Sequence, residues 1–96
     1  MLKVKLKNIE FNSPIIAASG TYGYGDEFGS FVDLKKIGCI ITKSITIEER
    51  TGNPSPRIYE SDSGMINSIG LANMGVQNFC KLKLSKLNKI ETNFIV

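Results

Sequence analysis

Short apolar runs that are continuous rather than alternating constrain the fold more than any other feature of this 96-residue chain. Two of them, residues 15–18 and 39–42, are each followed at once by small or polar residues. A continuous run is typical of a strand buried on both faces of a parallel sheet. A third run, residues 94–96, follows apolar residues that recur at helical spacing between Val76 and Leu87. Strands that alternate with helices predict βαβ units.

The segments between these runs carry local signals. Residues 2–11 alternate apolar and polar side chains and break at Lys7-Asn8, which predicts a β-hairpin with a two-residue turn. Asp26 is expected to cap a short helix, and Asp33 a second short turn that ends at Gly38. The glycines and prolines of residues 46–73 predict a long irregular loop, and such loops in compact domains are usually functional.

Three parallel strands alone would leave two open edges and uncovered apolar faces, which soluble proteins avoid. A (β/α)₈ barrel typically needs about 250 residues. The predicted fold class is therefore α/β: the N-terminal part of a (β/α)₈ TIM barrel, preceded by a β-hairpin. Residues 1–96 would form its first third, incomplete and poorly stable alone, with the hairpin at 2–11 and βα units from residue 14 onward.

Composition excludes several classes of protein. With 42% hydrophobic and 22% charged residues the chain resembles an ordinary soluble protein, and its longest apolar run is too short for a bilayer. The alternating start lacks a secretory apolar stretch, so a cytoplasmic location without a membrane partner is expected. The absence of histidine excludes imidazole-dependent catalysis and imidazole ligands, so no metal site is predicted. Cys39 and Cys80 are both expected to be free thiols in the core.

The net charge of +3 is local. Nearly all of the excess lies in residues 81–89, which hold four lysines and no acidic residue. This pattern favours a solvated helix face over a nucleic-acid-binding surface, and no nucleic-acid partner is predicted.

Functional sites in parallel α/β folds form at the carboxyl ends of the strands. Three segments are expected there: residues 19–21, 43–44 and 67–73. Lys43 directly follows a buried strand, where an unpaired charge is costly, so a bound anion or electron-rich ring would explain it. A solvated or salt-bridged lysine is equally consistent with the spacing.

The other residues at this edge also allow two interpretations. The glycines of residues 20–25 permit close approach of the backbone to a ligand, although ordinary tight turns are the favoured interpretation. Their spacing is not that of a dinucleotide-binding fingerprint. Asn67 and Asn73 could bind a ligand or simply form turns. The residues alone predict an anion or cofactor site of unspecified chemistry.

Four motifs carry a resemblance to a known family. Residues 13–25, 41–44, 52–57 and 64–73 closely resemble those of class 1 dihydroorotate dehydrogenases in order and spacing, and the likeness covers about residues 3–80. Residues 20–25 and 64–67 look more like the NAD-linked class 1B catalytic subunit than the fumarate-linked class 1A.

The resemblance implies an FMN-containing barrel that oxidises (S)-dihydroorotate to orotate in pyrimidine (UMP) biosynthesis. The residues matching flavin contacts are Ala18, Ser19, Gly20, Lys43 and Ser44. The residues matching substrate contacts are Lys43, Asn67, Ser68, Ile69, Gly70 and Leu71. The family's catalytic base, a cysteine, is expected beyond Val96, so no catalytic residue is assigned within residues 1–96 and the fragment alone is expected to be inactive.

These implied roles agree with elementary chemistry. A reduced flavin carries negative charge near N1 and O2, and the cation of Lys43 would favour hydride acceptance there. Backbone N–H groups of residues 69–71 can form an anion-binding concavity, where Gly70 permits the turn. The Asn67 amide offers both a donor and an acceptor.

The resemblance also implies partners: a second copy of the chain in a homodimer, and an electron-transfer subunit that carries FAD and a 2Fe–2S cluster. Two alternatives remain open. The chain could belong to a related pyrimidine-oxidoreducing flavin barrel, such as that of dihydropyrimidine dehydrogenase. It could also be a non-catalytic truncated remnant or an interaction module that kept the motifs.

Overall fold

The computed structural model describes residues 2–96, and the hairpin predicted over residues 2–11 is present. Strand β1 (Val4–Leu6) pairs antiparallel with β2 (Ile9–Phe11). The two-residue turn places Lys7 at φ +51°, in the left-handed region. The hairpin joins the rest of the chain through Asn93, whose side-chain amide donates to the carbonyl oxygen of Glu10 over 2.8 Å.

A three-stranded parallel sheet organises the chain, as the apolar runs predict. Its strands, in spatial order, are β3 (Ile16–Ala17), β4 (Cys39–Ile41) and β7 (Asn93–Ile95). The central strand carries the fully buried Cys39 and Ile40. Burying a side chain of this size contributes about 1.5–3 kcal/mol. The fold class shown by these residues is mixed α/β.

Strand β3 departs from the prediction of burial on both faces. Ala17 is buried, but Ile15 and Ile16 are 62% and 51% exposed. The physical reason is that β3 is an edge strand in this sheet, with β4 on one side and no strand of residues 2–96 on the other. A continuous apolar run indicates that a strand is suited to burial, but the strand is buried only where other parts of the protein cover it.

Two apolar clusters form the core, and the first includes Ile40 of β4. The first contains Ala17, Leu34, Ile37 and Ile40, and the second contains Tyr24, Phe79 and Leu87. Ile90 and Phe94 are half-buried and pack against both clusters. The long connections therefore fold back onto the sheet.

The two predicted caps behave differently. Asp33 caps a 3₁₀ turn (Leu34–Lys36) by accepting from the main-chain N–H of Lys35 over 3.2 Å, as predicted. The helix expected after Asp26 is wrong, because residues 26–32 form successive turns instead. The Asp26 carboxylate accepts a hydrogen bond from Lys83 Nζ over 2.8 Å, so it forms an ion pair instead of capping a helix.

Residues 46–73 are not wholly irregular. A second antiparallel hairpin lies within them, formed by β5 (Ile58–Ser61) and β6 (Gly64–Asn67). Its apolar side chains Tyr59 and Ile66 are exposed. This hairpin was not predicted because its strands lack apolar–polar alternation and because prolines and glycines flank it.

The predicted amphipathic helix spans residues 75–87. It consists of α1 (Gly75–Phe79), a π-helical segment (Cys80–Leu84) and α2 (Ser85–Leu87). Cys39 is a buried thiol, as predicted, but the expectation for Cys80 is wrong, because Cys80 points away from the core and is exposed. No helix within residues 2–96 is both long enough and apolar enough to cross a bilayer.

Candidate functional site

A cavity of about 420 Å³ opens at the carboxyl ends of β3 and β4. All three segments predicted to meet at this edge contribute to it. Its lining residues are Ser19, Gly20, Thr21, Lys43, Ser44, Asn67, Ile69, Gly70, Leu71 and Ala72. The meeting follows from topology, because parallel neighbouring strands end at the same edge of a sheet.

The predicted site residues and the lining residues overlap closely but not fully. Ala18 and Ser68 are predicted site residues that do not line the cavity. Thr21 and Ala72 also line it; both lie in segments expected at this edge, but neither was assigned a binding role. Lining the same cavity shows that these residues lie together, but it does not show that they bind a ligand. Their binding roles therefore stay predictions.

The loop after β3 is fastened to the end of β4. Ser19 Oγ donates to the carbonyl oxygen of Thr42 over 2.9 Å. The main-chain N–H of Lys43 donates to the carbonyl oxygen of Gly23 over 2.8 Å. Both contacts join the loop after β3 to the residues at the end of β4, so the position of the Lys43 main chain depends on the conformation of the glycine-rich loop.

Glu27 holds that loop from outside the cavity. Its carboxylate accepts from the main-chain N–H groups of Tyr24 and Gly25, with shortest distances of 3.0 and 3.1 Å. A side chain on Gly23 would lie 2.9 Å from the Glu27 carboxyl carbon, and Gly23 has φ +57°. Sequence reasoning missed this role of Glu27; an acidic residue just after a glycine-rich loop was the available signal.

Lys43 is the cation of the cavity. It is half-buried, and it takes part in none of the ion pairs found among residues 2–96. The salt-bridged alternative that the sequence left open is therefore wrong within the described chain. An ammonium group held in this way can bind a ligand anion at little cost in competing contacts.

The loop after β6 offers donors to the same cavity. Gly70 and Leu71 have φ values of +79° and +57°. Within residues 2–96, the N–H groups of residues 69–71 donate to no protein acceptor. Successive unpaired N–H groups in such a turn form a concavity that suits an anion. The exposed Asn67 amide stands beside them.

Asn73 has a structural role, which agrees with turn formation. It is buried, its Oδ1 accepts from the N–H groups of Thr46 and Gly75, and its Nδ2 donates to the carbonyl oxygen of Leu71 over 2.8 Å. Asn73 thus anchors the end of the loop to the segment that follows β4.

A cluster of charged side chains lies outside the cavity. Lys83 Nζ is 2.8 Å from Asp26 Oδ1 and 3.3 Å from Glu27 Oε1, and it lies 5.5 Å from the centroid of the Tyr24 ring. Burial tends to raise the pKa of Asp26, but the hydrogen bond and charge of Lys83 outweigh burial and lower it. The expectation that all of residues 81–89 are solvated is therefore wrong for Lys83.

Comparison with known proteins identifies the family. The model of the dihydroorotate dehydrogenase family matches residues 1–96. The NAD⁺-dependent dihydroorotate dehydrogenase B catalytic subunit of Thermodesulfovibrio yellowstonii is 51% identical over 96 residues, which are all of this chain and 32% of that protein. The corresponding subunits of Geotalea uraniireducens and Bacteroides thetaiotaomicron are 47% and 44% identical over 95 residues, each covering 99% of this chain and 31% of that protein.

The chain thus spans about a third of the length of these curated relatives. The resemblance carried by the four motifs, including its likeness to the NAD-linked catalytic subunits, is confirmed by these matches. The chain belongs to the dihydroorotate dehydrogenase family.

Proposed function

We propose that the full-length protein oxidises (S)-dihydroorotate to orotate in the cytoplasm with FMN as cofactor, and that residues 1–96 supply part of both binding sites. The observation that carries this proposal is that Lys43, which forms no ion pair within residues 2–96, lines the same cavity as residues 69–71, whose N–H groups donate to no acceptor of residues 2–96. An orotate carboxylate needs such donors, and a flavin needs a cation near its electron-accepting edge.

The first wall of the cavity fits FMN. Gly20 has φ +75° and no side chain, so a ligand can approach its backbone closely beside Lys43. The residues that would hold the cofactor are Ala18, Ser19, Gly20, Lys43 and Ser44. When bound, FMN would supply hydride acceptance. No carboxylate of residues 2–96 forms an ion pair with Lys43, so no protein group competes with a ligand for its ammonium group.

The third segment fits the substrate. We assign to it the contacts made by Asn67, Ser68, Ile69, Gly70 and Leu71, with Lys43 shared between the two ligands. The N–H groups of residues 69–71 would bind the carboxylate, and the Asn67 amide would pair with a polar edge of the ring. Holding the substrate against the cofactor is mainly a task of positioning.

No base is assigned within these residues. Neither Cys39 nor Cys80 lines the cavity: Cys39 is buried in β4, and Cys80 lies on the helix. Burial also raises the pKa of the Cys39 thiol, which disfavours the thiolate that a base requires.

The wider architecture of the proposal is a (β/α)₈ barrel in which β3, β4 and β7 are neighbouring strands. Their parallel order and the exposed apolar residues of the edge strands, such as Ile16 and Ile95, support it. The relatives' description as catalytic subunits supports a partner subunit. We propose that this partner transfers electrons and carries FAD and a 2Fe–2S cluster, as the family resemblance implies. A homodimer is proposed as well.

The test is anaerobic reduction of the full-length protein. Purified protein should carry FMN, and (S)-dihydroorotate should bleach its visible flavin absorbance whereas dihydrouracil should not. Bleaching by dihydrouracil alone would favour the related pyrimidine-oxidoreducing barrel. Protein without flavin, even after reconstitution, would overturn the proposal and favour a non-catalytic module.

A further inference from the structure

We propose that Asn53 is a positioning residue that shapes the substrate loop (residues 67–71) without touching the substrate. The inference rests on the proposed function, since it assumes that this loop binds the orotate carboxylate. Asn53 does not line the cavity, yet it contacts three consecutive residues of the loop, Ser68, Ile69 and Gly70.

Hydrogen bonds from Asn53 occupy the carbonyl side of the loop. Its Nδ2 donates to both the carbonyl oxygen and the Oγ of Ser68, each over 2.9 Å. Its main-chain N–H donates to the carbonyl oxygen of Ile69, also over 2.9 Å. With two successive carbonyl groups bound to Asn53, the N–H groups of residues 69–71 remain free for a ligand.

Close packing fixes the distance between the two segments. A side chain on Gly70 would come within 2.8 Å of the Asn53 main-chain nitrogen and 2.9 Å of its Cγ. A side chain on Gly52 would collide with the carbonyl oxygen of Ile69. The glycines at both positions therefore let the backbones touch, so that a displacement of Asn53 is passed directly to the loop.

Arg57 closes this arrangement. Its main-chain carbonyl oxygen accepts from the N–H of Ser68 over 2.8 Å, and its Nη1 donates to the carbonyl oxygen of Asn53 over 3.5 Å. Ser68 is thus bound by two residues of segment 52–57: Asn53 donates to its carbonyl oxygen and Oγ, and Arg57 accepts from its N–H.

Because Asn53 lies at the surface and outside the core, a role in shaping the loop can be distinguished by experiment from a role in stabilising the fold. Asn53 and Ser68 are both exposed, and neither belongs to an apolar cluster of the core. Substitution of Asn53 should therefore alter the shape of the loop while leaving the core packing intact. Ligand affinity should respond more than the thermal stability or the FMN content.

The experiment measures orotate binding by isothermal titration calorimetry to the full-length FMN-bound protein, with Tm and FMN content recorded in parallel. The variants are Asn53→Ala, Ser68→Ala and the double substitution. Asn78→Ala is the matched control, because Asn78 is an exposed asparagine on α1 that does not line the cavity.

Asn53→Ala should weaken orotate binding by roughly 5- to 100-fold, the effect of losing two hydrogen bonds. Ser68→Ala removes only one acceptor and should weaken binding by a few-fold. In the double variant, Ser68→Ala should weaken binding less than it does alone, because its contact with Asn53 is already lost. Tm and FMN content should match those of Asn78→Ala.

Two results would overturn the inference alone: orotate affinity in Asn53→Ala equal to that of the control, or fully additive effects of the two substitutions. A loss of Tm and FMN in proportion to the loss of affinity would likewise show a merely structural residue. If Asn53→Ala does not fold, the isosteric Asn53→Asp decides, because it lacks the Nδ2 donor to Ser68, and unchanged orotate affinity in it overturns the inference. Failure of the unsubstituted protein to bind orotate would instead overturn the proposed function, and this inference with it.

Discussion

Lys83 Nζ lies 2.8 Å from Asp26 Oδ1, and the two side chains are only 15% and 14% exposed. The same ammonium group contacts Glu27, whose carboxylate binds the N–H groups of the glycine-rich loop. The basic helix is therefore fastened to the loop that borders the candidate site. These contacts lie outside the cavity, and they hold the glycine-rich loop that carries part of its lining.

Replacement of Lys83 by methionine should destabilise the protein by about 1–3 kcal/mol, because it leaves Asp26 largely buried without its main partner. The quantity to measure is the free energy of urea unfolding of the full-length protein. Lys81→Met is the matched control, since Lys81 is exposed on the same helix and takes part in none of the ion pairs of residues 2–96. Equal losses in the two variants would contradict the account of this cluster.

Acid should weaken the same cluster. Burial would raise the pKa of Asp26, but Lys83 holds it below the ordinary value of 3.8. A carboxyl whose pKa is lowered by folding contributes stability that is complete above its unfolded pKa and is lost as the pH falls through the folded one. The urea midpoint of the unsubstituted protein should therefore fall more steeply below pH 4 than that of Asp26→Asn. Parallel curves for the two proteins would rule this out.

Lys43→Ala should slow the reduction of bound flavin by dihydroorotate roughly 100- to 1000-fold, as expected when one preorganised charge is removed from a reacting centre. Anaerobic stopped-flow single turnovers would measure it. Lys36→Ala provides the control, because Lys36 is an exposed lysine in the 3₁₀ turn, outside the cavity. An unchanged single-turnover rate in Lys43→Ala would show that its charge does not act on the flavin.

Asn67→Ala should weaken substrate binding and slow the reaction together, because its amide both holds the ring and orients it. A rise in KM and a fall in kcat, each of about tenfold, are expected from the loss of a hydrogen bond that also positions the substrate. Steady-state kinetics with Asn78→Ala as the control would test this. A change in neither constant would place Asn67 outside the binding site.

Gly70→Ala should abolish tight orotate binding while FMN is retained. Gly70 has φ +79°, where a side chain costs about 1–2 kcal/mol, and its new Cβ would also press against the Asn53 main-chain nitrogen. Gly64→Ala is the matched control, because the nearest atom to its added Cβ lies 3.9 Å away. Orotate titrations of both variants should differ sharply, and equal affinities would argue against the loop geometry.

Much of the site could be predicted because its residues follow the parallel strands closely in sequence. Lys43 comes after β4 and Ser19 comes after β3, so the parallel order alone brings them to one edge. Asn53 could not be predicted in this way. Its contacts are with a segment fifteen residues away, and only the folded backbone places them together.

The fold was predictable to a similar depth. The run at residues 39–42 is central in the sheet and is buried, whereas the run at 15–18 lies at an edge, which local sequence does not reveal. The lysines of residues 81–89 look alike in composition, yet helical periodicity turns Lys83 towards Asp26 and leaves Lys81 in solvent. The sequence pattern thus predicts the helices and strands, whereas the burial of a strand and the ion pairs of a lysine depend on the residues packed around them in the fold.

A crystal structure of the full-length protein with FMN and orotate would test the central claim most directly. The account predicts that Lys43 Nζ lies within hydrogen-bond distance of the flavin, and that N–H groups of residues 69–71 donate to the orotate carboxylate. Ligands bound elsewhere, with Lys43 and this loop facing solvent, would contradict it.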